Sequence, residues 1–228
     1  MALTIRITSD FICPWCLVAE SRLNKAIEQL DPAIEIERVW YPFELNPDMP
    51  AAGMDRKLYR SNKFSSWEYS QQLDAQTIQA TQSDDVEFRY DQMEITPNTF
   101  NAHRLTWFAN KSGLATKMAV RILRAYFSEG QNISNVDTLA TLAAEVGLEA
   151  DVARDFLLSD EGSQEVRALE QHARKQGVRG VPHIHIGDEI VSGAQPVEAL
   201  VATLRRATDA LEASNNPVPS THGTVEKI

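Results

Sequence analysis

The chain of 228 residues has only two cysteines, Cys13 and Cys16. A secreted domain held together by disulfides needs more cysteines, spread along the sequence to close long loops. A structural zinc site needs four ligands, and the sequence has no second cysteine pair to supply them. Two cysteines in a Cys-x-x-Cys arrangement are instead typical of a redox pair.

Long hydrophobic runs and excess positive charge are also lacking. No apolar segment approaches the roughly 18 residues of a membrane span, and residues 1–8 do not have the charged and then apolar pattern of a signal peptide. The 22 basic and 32 acidic side chains give a formal net charge of −10, which disfavours nucleic acid and anionic membranes as partners. We therefore expect a cytoplasmic protein that binds neither.

The beginning of the chain predicts a βαβ unit. Residues 3–8 alternate between apolar and polar side chains and predict a strand, and residues 34–40 predict a second one. Between them, apolar residues recur at helical spacing from Pro14 to about Leu30. Two strands joined by one helix are expected to be parallel, with a right-handed crossover.

The remainder predicts a helical block followed by a return to the sheet. Residues 51–176 have mainly helical character, and a hairpin and a last helix follow. We predict an α/β fold in which residues 1–50 and 177–213 form one domain of order β-α-β … β-β-α. Residues 51–176 would be a large all-helical insertion domain, and residues 214–228 a mobile tail.

Cys13 is expected at the N-cap of the first helix, with Pro14 in the first turn, where its missing N–H costs nothing. An ordinary thiol, with a pKa of about 8.5, is mostly protonated in a neutral cytosol. The free amides of Trp15 and Cys16 and the helix dipole favour the thiolate, the form that attacks disulfides. We predict that Cys13 is the nucleophile and the more exposed and more acidic thiol.

Cys16 lies one helical turn further on, within reach of a disulfide to Cys13. We expect its sulfur to be more buried and to resolve a mixed disulfide by attacking Cys13. Trp15 is expected on the rim, as an apolar contact for substrate. Two buried inert cysteines, or half of a zinc site, are the alternative, which the position between strand and helix disfavours.

A second feature favours redox chemistry. Gly180-Val181-Pro182 directly precedes the predicted hairpin. A cis Val181–Pro182 bond would leave the N–H and C=O of Val181 free to bind an extended substrate. We predict that this bond is cis and that its backbone faces Cys13.

Six motifs occur in one order along the chain and together resemble the DsbA-like superfamily of thioredoxin folds, within it the FrnE-like branch. They are Ser9-Asp10-Phe11-Ile12-Cys13-Pro14-Trp15-Cys16, Pro42-Phe43-Glu44-Leu45-Asn46-Pro47, Asn98-Thr99 with Ala102-His103-Arg104-Leu105, Ala125-Tyr126-Phe127, Gly177-Val178-Arg179-Gly180-Val181-Pro182 and Ser192-Gly193-Ala194-Gln195-Pro196. The resemblance implies a thioredoxin domain with a helical insertion. It also implies a thiol–disulfide oxidoreductase in which Cys13 is the nucleophile and Pro182 the facing cis-proline.

Two relatives in the same superfamily supply the alternative function. Kappa-class glutathione transferases and 2-hydroxychromene-2-carboxylate isomerases share the layout and bind glutathione, but usually carry serine where this chain has Cys13. A glutathione-dependent isomerase or transferase is therefore the second hypothesis. We expect no tightly bound cofactor, with glutathione as a candidate redox partner. The substrate would be a protein or small molecule with a thiol or disulfide, and the chain is compatible with a homodimer.

Other residues are weaker candidates. The resemblance places His103 on a helix that roofs the site, although a packing role is the simpler interpretation. Asn98 favours helix capping over substrate contact, and Gln195 could contact the γ-glutamyl group of glutathione. His183 and His185 share a strand face, but no third ligand is evident, so we predict no metal. Pro14, Trp15 and Val181 complete the predicted substrate-binding set.

Overall fold

The computed structural model describes residues 2–215, and its elements alternate between sheet and helical segments. In chain order they are β1 (Leu3–Ser9), α1 (Pro14–Ile27), β2 (Ile36–Pro42), β3 (Met54–Asp55), α2 (Arg56–Phe64), α3 (Trp67–Ala80), β4 (Ile95–Thr96), α4 (Phe100–Asn110), α5 (Ala115–Glu129), α6 (Val136–Glu145), α7 (Ala150–Leu158), α8 (Ser163–Lys175), β5 (His183–Ile186), β6 (Glu189–Ser192) and α9 (Val197–Asn215).

One four-stranded sheet has the strand order β2-β1-β5-β6. β1 runs parallel to β2, from Leu3 opposite Ile36 to Ser9 opposite Pro42, and antiparallel to β5. The β5–β6 hairpin turns at Gly187, whose φ of 57° lies in the left-handed region that glycine adopts without strain. The predicted thioredoxin fold is thus confirmed, with both β segments in one sheet.

The first hydrophobic core, here called the sheet core, lies between this sheet and the helices α1 and α9. The two-residue period of the strands places Leu3, Ile5 and Ile7 on the covered face. The other fully or nearly fully buried members of this core are Ala19, Leu23, Ala26, Ile184, Ile186, Val191, Leu200, Val201, Leu204 and Ala207. Helix α1 contributes its last two turns to this core.

The second core, here called the seam core, joins the beginning of α1 to the inserted helices. Cys16, Leu17 and Val18 pack in one cluster with residues of α4 to α7, among them Leu105 and Ile122. The inserted segment therefore shares buried surface with the thioredoxin part instead of packing only against itself. Residues 51–176 as a separate domain remain a prediction.

The insertion differs from the predicted all-helical segment in one respect. β3 and β4 form a two-stranded antiparallel sheet, with Met54 opposite Thr96 and Asp55 opposite Ile95. Between helices, two extended segments pair because their backbone N–H and C=O groups need partners away from water. The N–H of Arg56 continues the pairing by donating to the Glu94 carbonyl at 2.8 Å.

The end of the chain also differs from its prediction. Helix α9 continues to Asn215, past Leu211 and into the segment predicted as a tail, while the rest of that tail lies outside the described residues. Between residues 2 and 215, no helix has both the length and the apolar character needed to cross a membrane.

Candidate active site

Cys13 occupies the N-cap of α1 with extended backbone angles, φ −94° and ψ 110°, and Pro14 follows in the first turn. Its Sγ donates a hydrogen bond to the carbonyl oxygen of Val181 at 3.5 Å. The Val181–Pro182 peptide bond is cis. The two segments, 168 residues apart in the sequence, thus meet as predicted, with the backbone of Val181 facing the Cys13 sulfur.

Both cysteines are free thiols and lie 3.7 Å apart. The sulfurs of a disulfide are about 2.05 Å apart, so formation of the bond requires the two side chains to approach each other further. The exposed fraction is 7% for Cys13 and 3% for Cys16. The predicted order of exposure is correct but the contrast is small, because both thiols belong to the seam core.

The two thiols differ more clearly in acidity. The pKa of Cys13 lies below the ordinary value, chiefly because the Cys16 thiol donates a hydrogen bond to the Cys13 sulfur; burial opposes this effect. Burial, and after it the same interaction with Cys13, raises the pKa of Cys16 well above the ordinary value. Cys13 is therefore the thiol poised to attack.

The cause of this acidity differs in part from the sequence-based argument. The backbone N–H groups of Cys16 and Trp15 also lower the pKa of Cys13, but each does so less than the Cys16 thiol. The Cys13 side chain makes no capping hydrogen bond with the helix. The second cysteine thus contributes to the lowered pKa of Cys13.

Behind the cysteines lies a buried acid–imidazole pair. The Asp10 carboxyl group is fully buried, and its Oδ2 accepts a hydrogen bond from the Leu45 N–H at 2.7 Å. Its Oδ1 lies 3.4 Å from Nε2 of His103 on α4. Oδ1 of Asp10 and Nε2 of His103 both lack a hydrogen-bond partner within the described residues.

In front of Cys13 opens a cavity of about 470 Å³, a size typical of small-molecule sites. Ile12, Cys13, Pro14 and Trp15 line one side of it, and α2 and α3 line the other. Trp15 is 38% exposed, in agreement with its predicted place on the rim. The cavity thus lies between the thioredoxin part and the insertion.

The charges that line this cavity are mainly positive. Arg56 and Arg60 both bind the Asp74 carboxylate, at 2.6 and 2.8 Å. Lys63 donates to the Tyr59 hydroxyl at 2.9 Å and has no carboxylate partner among residues 2–215. Three cations and one carboxylate therefore face the cavity of a chain whose net charge is strongly negative.

The weaker candidates lie elsewhere. His103 lines a second cavity instead of the one in front of Cys13. The Asn98 side chain donates to the Met49 carbonyl at 2.7 Å and accepts from the Phe100 N–H, which ties a loop to the beginning of α4. Gln195 donates to the Ser192 carbonyl. Substrate contact by these three residues remains a prediction.

The strand histidines form a local pair. Nε2 of His183 lies 3.1 Å from Nε2 of His185, and the Ser192 hydroxyl lies 3.4 Å from Nδ1 of His183. The described part of the chain contains no group of three or more His, Cys, Asp or Glu side chains arranged to hold a metal ion.

Another buried pair was not identified from the sequence. The Glu44 N–H donates to the Glu170 carboxylate at 2.6 Å, and Arg174 donates to the Glu44 carbonyl. Burial and the neighbouring charge of Glu170 raise the pKa of Glu44 to about 8. The motif Pro42–Pro47 contains Glu44, but only tertiary contact with α8 reveals the buried pair.

Comparison with known proteins agrees with the fold described above. The sequence model of the DSBA-like thioredoxin domain matches residues 4–205. The uncharacterized protein YwbO of Bacillus subtilis (strain 168) is 30% identical over 195 residues, which are 85% of this chain and 92% of that protein.

Two solved structures are informative. The probable DsbA oxidoreductase SCO1869 from Streptomyces coelicolor has a TM-score of 0.82 and 27% identity, and the match covers 91% of this chain and 90% of that one. The cytosolic disulfide reductase DsbM from Pseudomonas aeruginosa, solved with GSH, has a TM-score of 0.60 and 18% identity, with 94% and 100% covered.

Proposed function

Because the chain belongs to the family of the DSBA-like thioredoxin domain, we propose that it is a thiol–disulfide oxidoreductase that uses Cys13 and Cys16 as its redox pair. The observation that carries this proposal is the pair itself. An acidic thiol and a less acidic one lie 3.7 Å apart, beside the cis-proline loop and at the end of an open cavity.

The chemistry has two steps. The Cys13 thiolate attacks a substrate disulfide, forms a mixed disulfide and releases one substrate thiol. Cys16 then attacks the Cys13 sulfur, which releases the second thiol and leaves a Cys13–Cys16 disulfide. The reverse sequence oxidises a substrate dithiol, and the reduction potential relative to the surrounding thiol pool decides the direction.

The second cysteine favours this function over a glutathione-dependent isomerase or transferase. Those reactions need one group that activates glutathione, whereas Cys16 is positioned both to acidify Cys13 and to bond with it. The fold itself is compatible with both functions, since a 2-hydroxychromene-2-carboxylate isomerase matches with a TM-score of 0.68 and 16% identity.

The test is to substitute each cysteine. Cys16→Ser should accumulate mixed disulfides with substrate and lose catalytic turnover in insulin reduction and in disulfide isomerisation. Cys13→Ser should lose both the adduct and the activity. Full turnover by Cys16→Ser would refute the dithiol mechanism and favour the glutathione-dependent alternative, and loss of stability alone in Cys13→Ser would point to inert structural cysteines.

Glutathione is the redox partner that the cavity supports best. Its two carboxylates complement the positive excess of Arg56, Arg60 and Lys63, and a tripeptide fits about 470 Å³. DsbM, a cytosolic disulfide reductase of the same fold, was solved with GSH. A cytoplasmic location, where glutathione is abundant, is part of this proposal.

A charge substitution tests this partner. Lys63→Gln should raise KM for oxidised glutathione several-fold and leave KM for neutral hydroxyethyl disulfide unchanged, because only the first substrate carries carboxylates. Lys57→Gln is the matched control, since Lys57 is exposed on the same helix and does not line the cavity. Equal KM changes for both disulfides would contradict glutathione as the partner.

A further inference from the structure

The segment that leads into the cis-proline has an open backbone edge. The N–H groups of Arg179, Gly180 and Val181 donate no hydrogen bond to any group within residues 2–215. The Val181 carbonyl oxygen lies 3.5 Å from the Cys13 sulfur. Free backbone groups of this kind can pair with an extended segment of another chain, which is added as a strand. The exchange site therefore borders an edge on which a polypeptide can lie.

Beside this edge lies a cavity of about 370 Å³ that three arginines line, here called the arginine groove: Arg167 and Arg174 of α8, and Arg179. All three side chains belong to exposed residues. The Arg174 guanidinium lies 4.2 Å from the centroid of the Phe43 ring and donates to the Glu44 carbonyl at 2.9 Å. Within residues 2–215, none of the three arginines forms a salt bridge with a carboxylate. Their charges are thus available to an anionic ligand.

Two carboxyl groups also line the arginine groove, those of Glu44 and Glu170. Both residues are buried, and burial together with the charge of Glu170 raises the pKa of Glu44 to about 8. At neutral pH the pair therefore carries one negative charge, against three guanidinium groups. The groove remains positive in a chain whose net charge is −10, which favours an anionic occupant.

The arginine groove is continuous with the exchange site. Leu45 lines both the groove and the cavity in front of Cys13. Val181 packs against Phe43, whose ring forms part of the groove wall. A further cavity of about 320 Å³ shares Arg167 with the groove and extends the path away from the cysteines. A tripeptide fits the cavity in front of Cys13 alone, so an occupant of the whole path has to be a longer chain.

We propose that the arginine groove binds an acidic segment of a polypeptide substrate, which lies along residues 179–181 while its cysteine reacts at Cys13. Each residue of an extended chain advances about 3.3 Å, so carboxylates two to four residues from the substrate cysteine reach the groove. Arginine suits this role because its planar guanidinium can bind a carboxylate through two hydrogen bonds. This inference rests on the proposed function and names its substrate class, a protein disulfide flanked by Asp or Glu. Glutathione would bind on the other side of Leu45.

Peptide disulfides of equal length and different charge test this subsite. Each substrate is the symmetrical disulfide of a peptide with a central cysteine and with glutamate, glutamine or lysine two to four residues away on both sides. The rate of thiol release by the reduced protein is divided by the rate with dithiothreitol, because neighbouring charges alter the disulfide itself. We expect the glutamate peptide to react about fivefold faster than the glutamine peptide, as for one or two partly exposed ion pairs. High salt should reduce this preference.

Charge substitutions in the groove locate the preference. Arg167→Gln and Arg179→Gln should each weaken the preference for the glutamate peptide, and the double variant should abolish it through slower reaction with that peptide. Both side chains are exposed, so the fold should be retained. The matched control is Lys175→Gln, which removes an exposed positive charge from α8 that does not line the groove. This control should keep the full preference.

The outcomes separate this proposal from the function on which it rests. Failure to reduce any peptide disulfide or hydroxyethyl disulfide would refute the oxidoreductase function itself. Reduction of hydroxyethyl disulfide together with equal rates for the glutamate and glutamine peptides would overturn only the acidic subsite. Faster reaction of the lysine peptide would also overturn it, because the carboxyl groups of Glu44 and Glu170 would then dominate. Loss of the preference in Lys63→Gln and not in the arginine variants would place the acidic segment in the cavity in front of Cys13, against the proposal.

Discussion

The sheet core and the seam core differ in whether polar side chains are buried in or beside them. In the sheet core, the buried members are aliphatic side chains of the strands, α1 and α9. In and beside the seam core lie both cysteines, Asp10 and His103. The buried side-chain atoms without partners in the described part are Oδ1 of Asp10, Nε2 of His103 and Nδ2 of Asn46, and none of these residues belongs to the sheet core.

This difference indicates a division of work within one helix. The last turns of α1 pack in the sheet core, and its N-cap residue Cys13 carries the more acidic thiol. Unsatisfied polar groups cost stability, and the neighbouring apolar core offsets that cost with the free energy of burial. The comparison predicts that substitutions in the two cores affect stability and thiol chemistry separately.

Leu204→Ala would give the largest loss of stability. Leu204 is fully buried in the sheet core, and its truncation leaves a cavity between α9 and the sheet. We expect a loss of about 3 kcal/mol in the free energy of unfolding, measured by urea denaturation, with no change in the pH dependence of Cys13 alkylation. A shift of the Cys13 pKa in this variant would show that the two cores are not independent.

Glu44→Gln should change how stability depends on pH. The folded protein keeps Glu44 protonated up to pH of about 8, whereas the unfolded chain releases this proton near the ordinary value of 4.5. Because the folded-state pKa is raised, this contribution to stability is complete at low pH and is lost as the pH rises toward 8. Glutamine does not titrate and avoids the loss.

We therefore expect Glu44→Gln to gain about 2 kcal/mol over the original protein between pH 5 and pH 8, roughly half of the full linkage value, because solvent screening weakens the interaction of the two carboxyl groups. Urea denaturation at both pH values measures this difference. Glu37→Gln, at an exposed position on β2, is the control and should show no such gain. A pH-independent difference between Glu44→Gln and the original would show that Glu44 titrates normally.

Cys16→Ala should weaken the activation of Cys13. It removes the hydrogen-bond donor that contributes most to the lowered pKa of Cys13, so alkylation by iodoacetamide at neutral pH should slow several-fold. Cys16→Ser retains a donor and should slow alkylation less. If alkylation is as fast in Cys16→Ala as in the original, the helix amides alone activate Cys13, as the sequence argument had it.

Trp15→Ala should have the smallest effect on stability. The side chain lies on the rim of the cavity, 38% exposed, so the free energy of unfolding should change by about 0.5 kcal/mol or less. The KM for an apolar aromatic disulfide should rise, because an apolar contact is lost. An unchanged KM would remove Trp15 from the predicted substrate-binding set.

Local pattern was sufficient for the regular elements. The alternation in β1 and the helical spacing in α1 involve residues that are close in the sequence, and so does the position of Cys13 between the two elements. The helical block was less accessible. At Ser65, which has a positive φ of 72°, the chain turns between α2 and α3, and the pairing of β3 with β4 joins segments 40 residues apart.

Part of the candidate site could be predicted from the sequence, and part could not. Cys13, Cys16 and the cis bond before Pro182 could be predicted from spacing and from the resemblance, and the structure brings them together. His103 could be placed on a helix, but its partner Asp10 could not be identified, since 93 positions separate them. The cationic side of the cavity likewise depends on how α2 and α3 fold over α1.

The sequence by itself determined the fold class, the position of the cysteine pair at the start of α1 and which of the two thiols is the more acidic, because periodicity, turn chemistry and helix termini act between near neighbours. Only the tertiary structure decided which groups tune those thiols. The Cys16 hydrogen bond and the nearby Asp10 carboxyl act through contacts and desolvation that exist once the chain is folded, and the positive cavity forms only when the insertion packs against the thioredoxin part. Electrostatic effects depend on distance and burial, and neither is recorded in the order of residues.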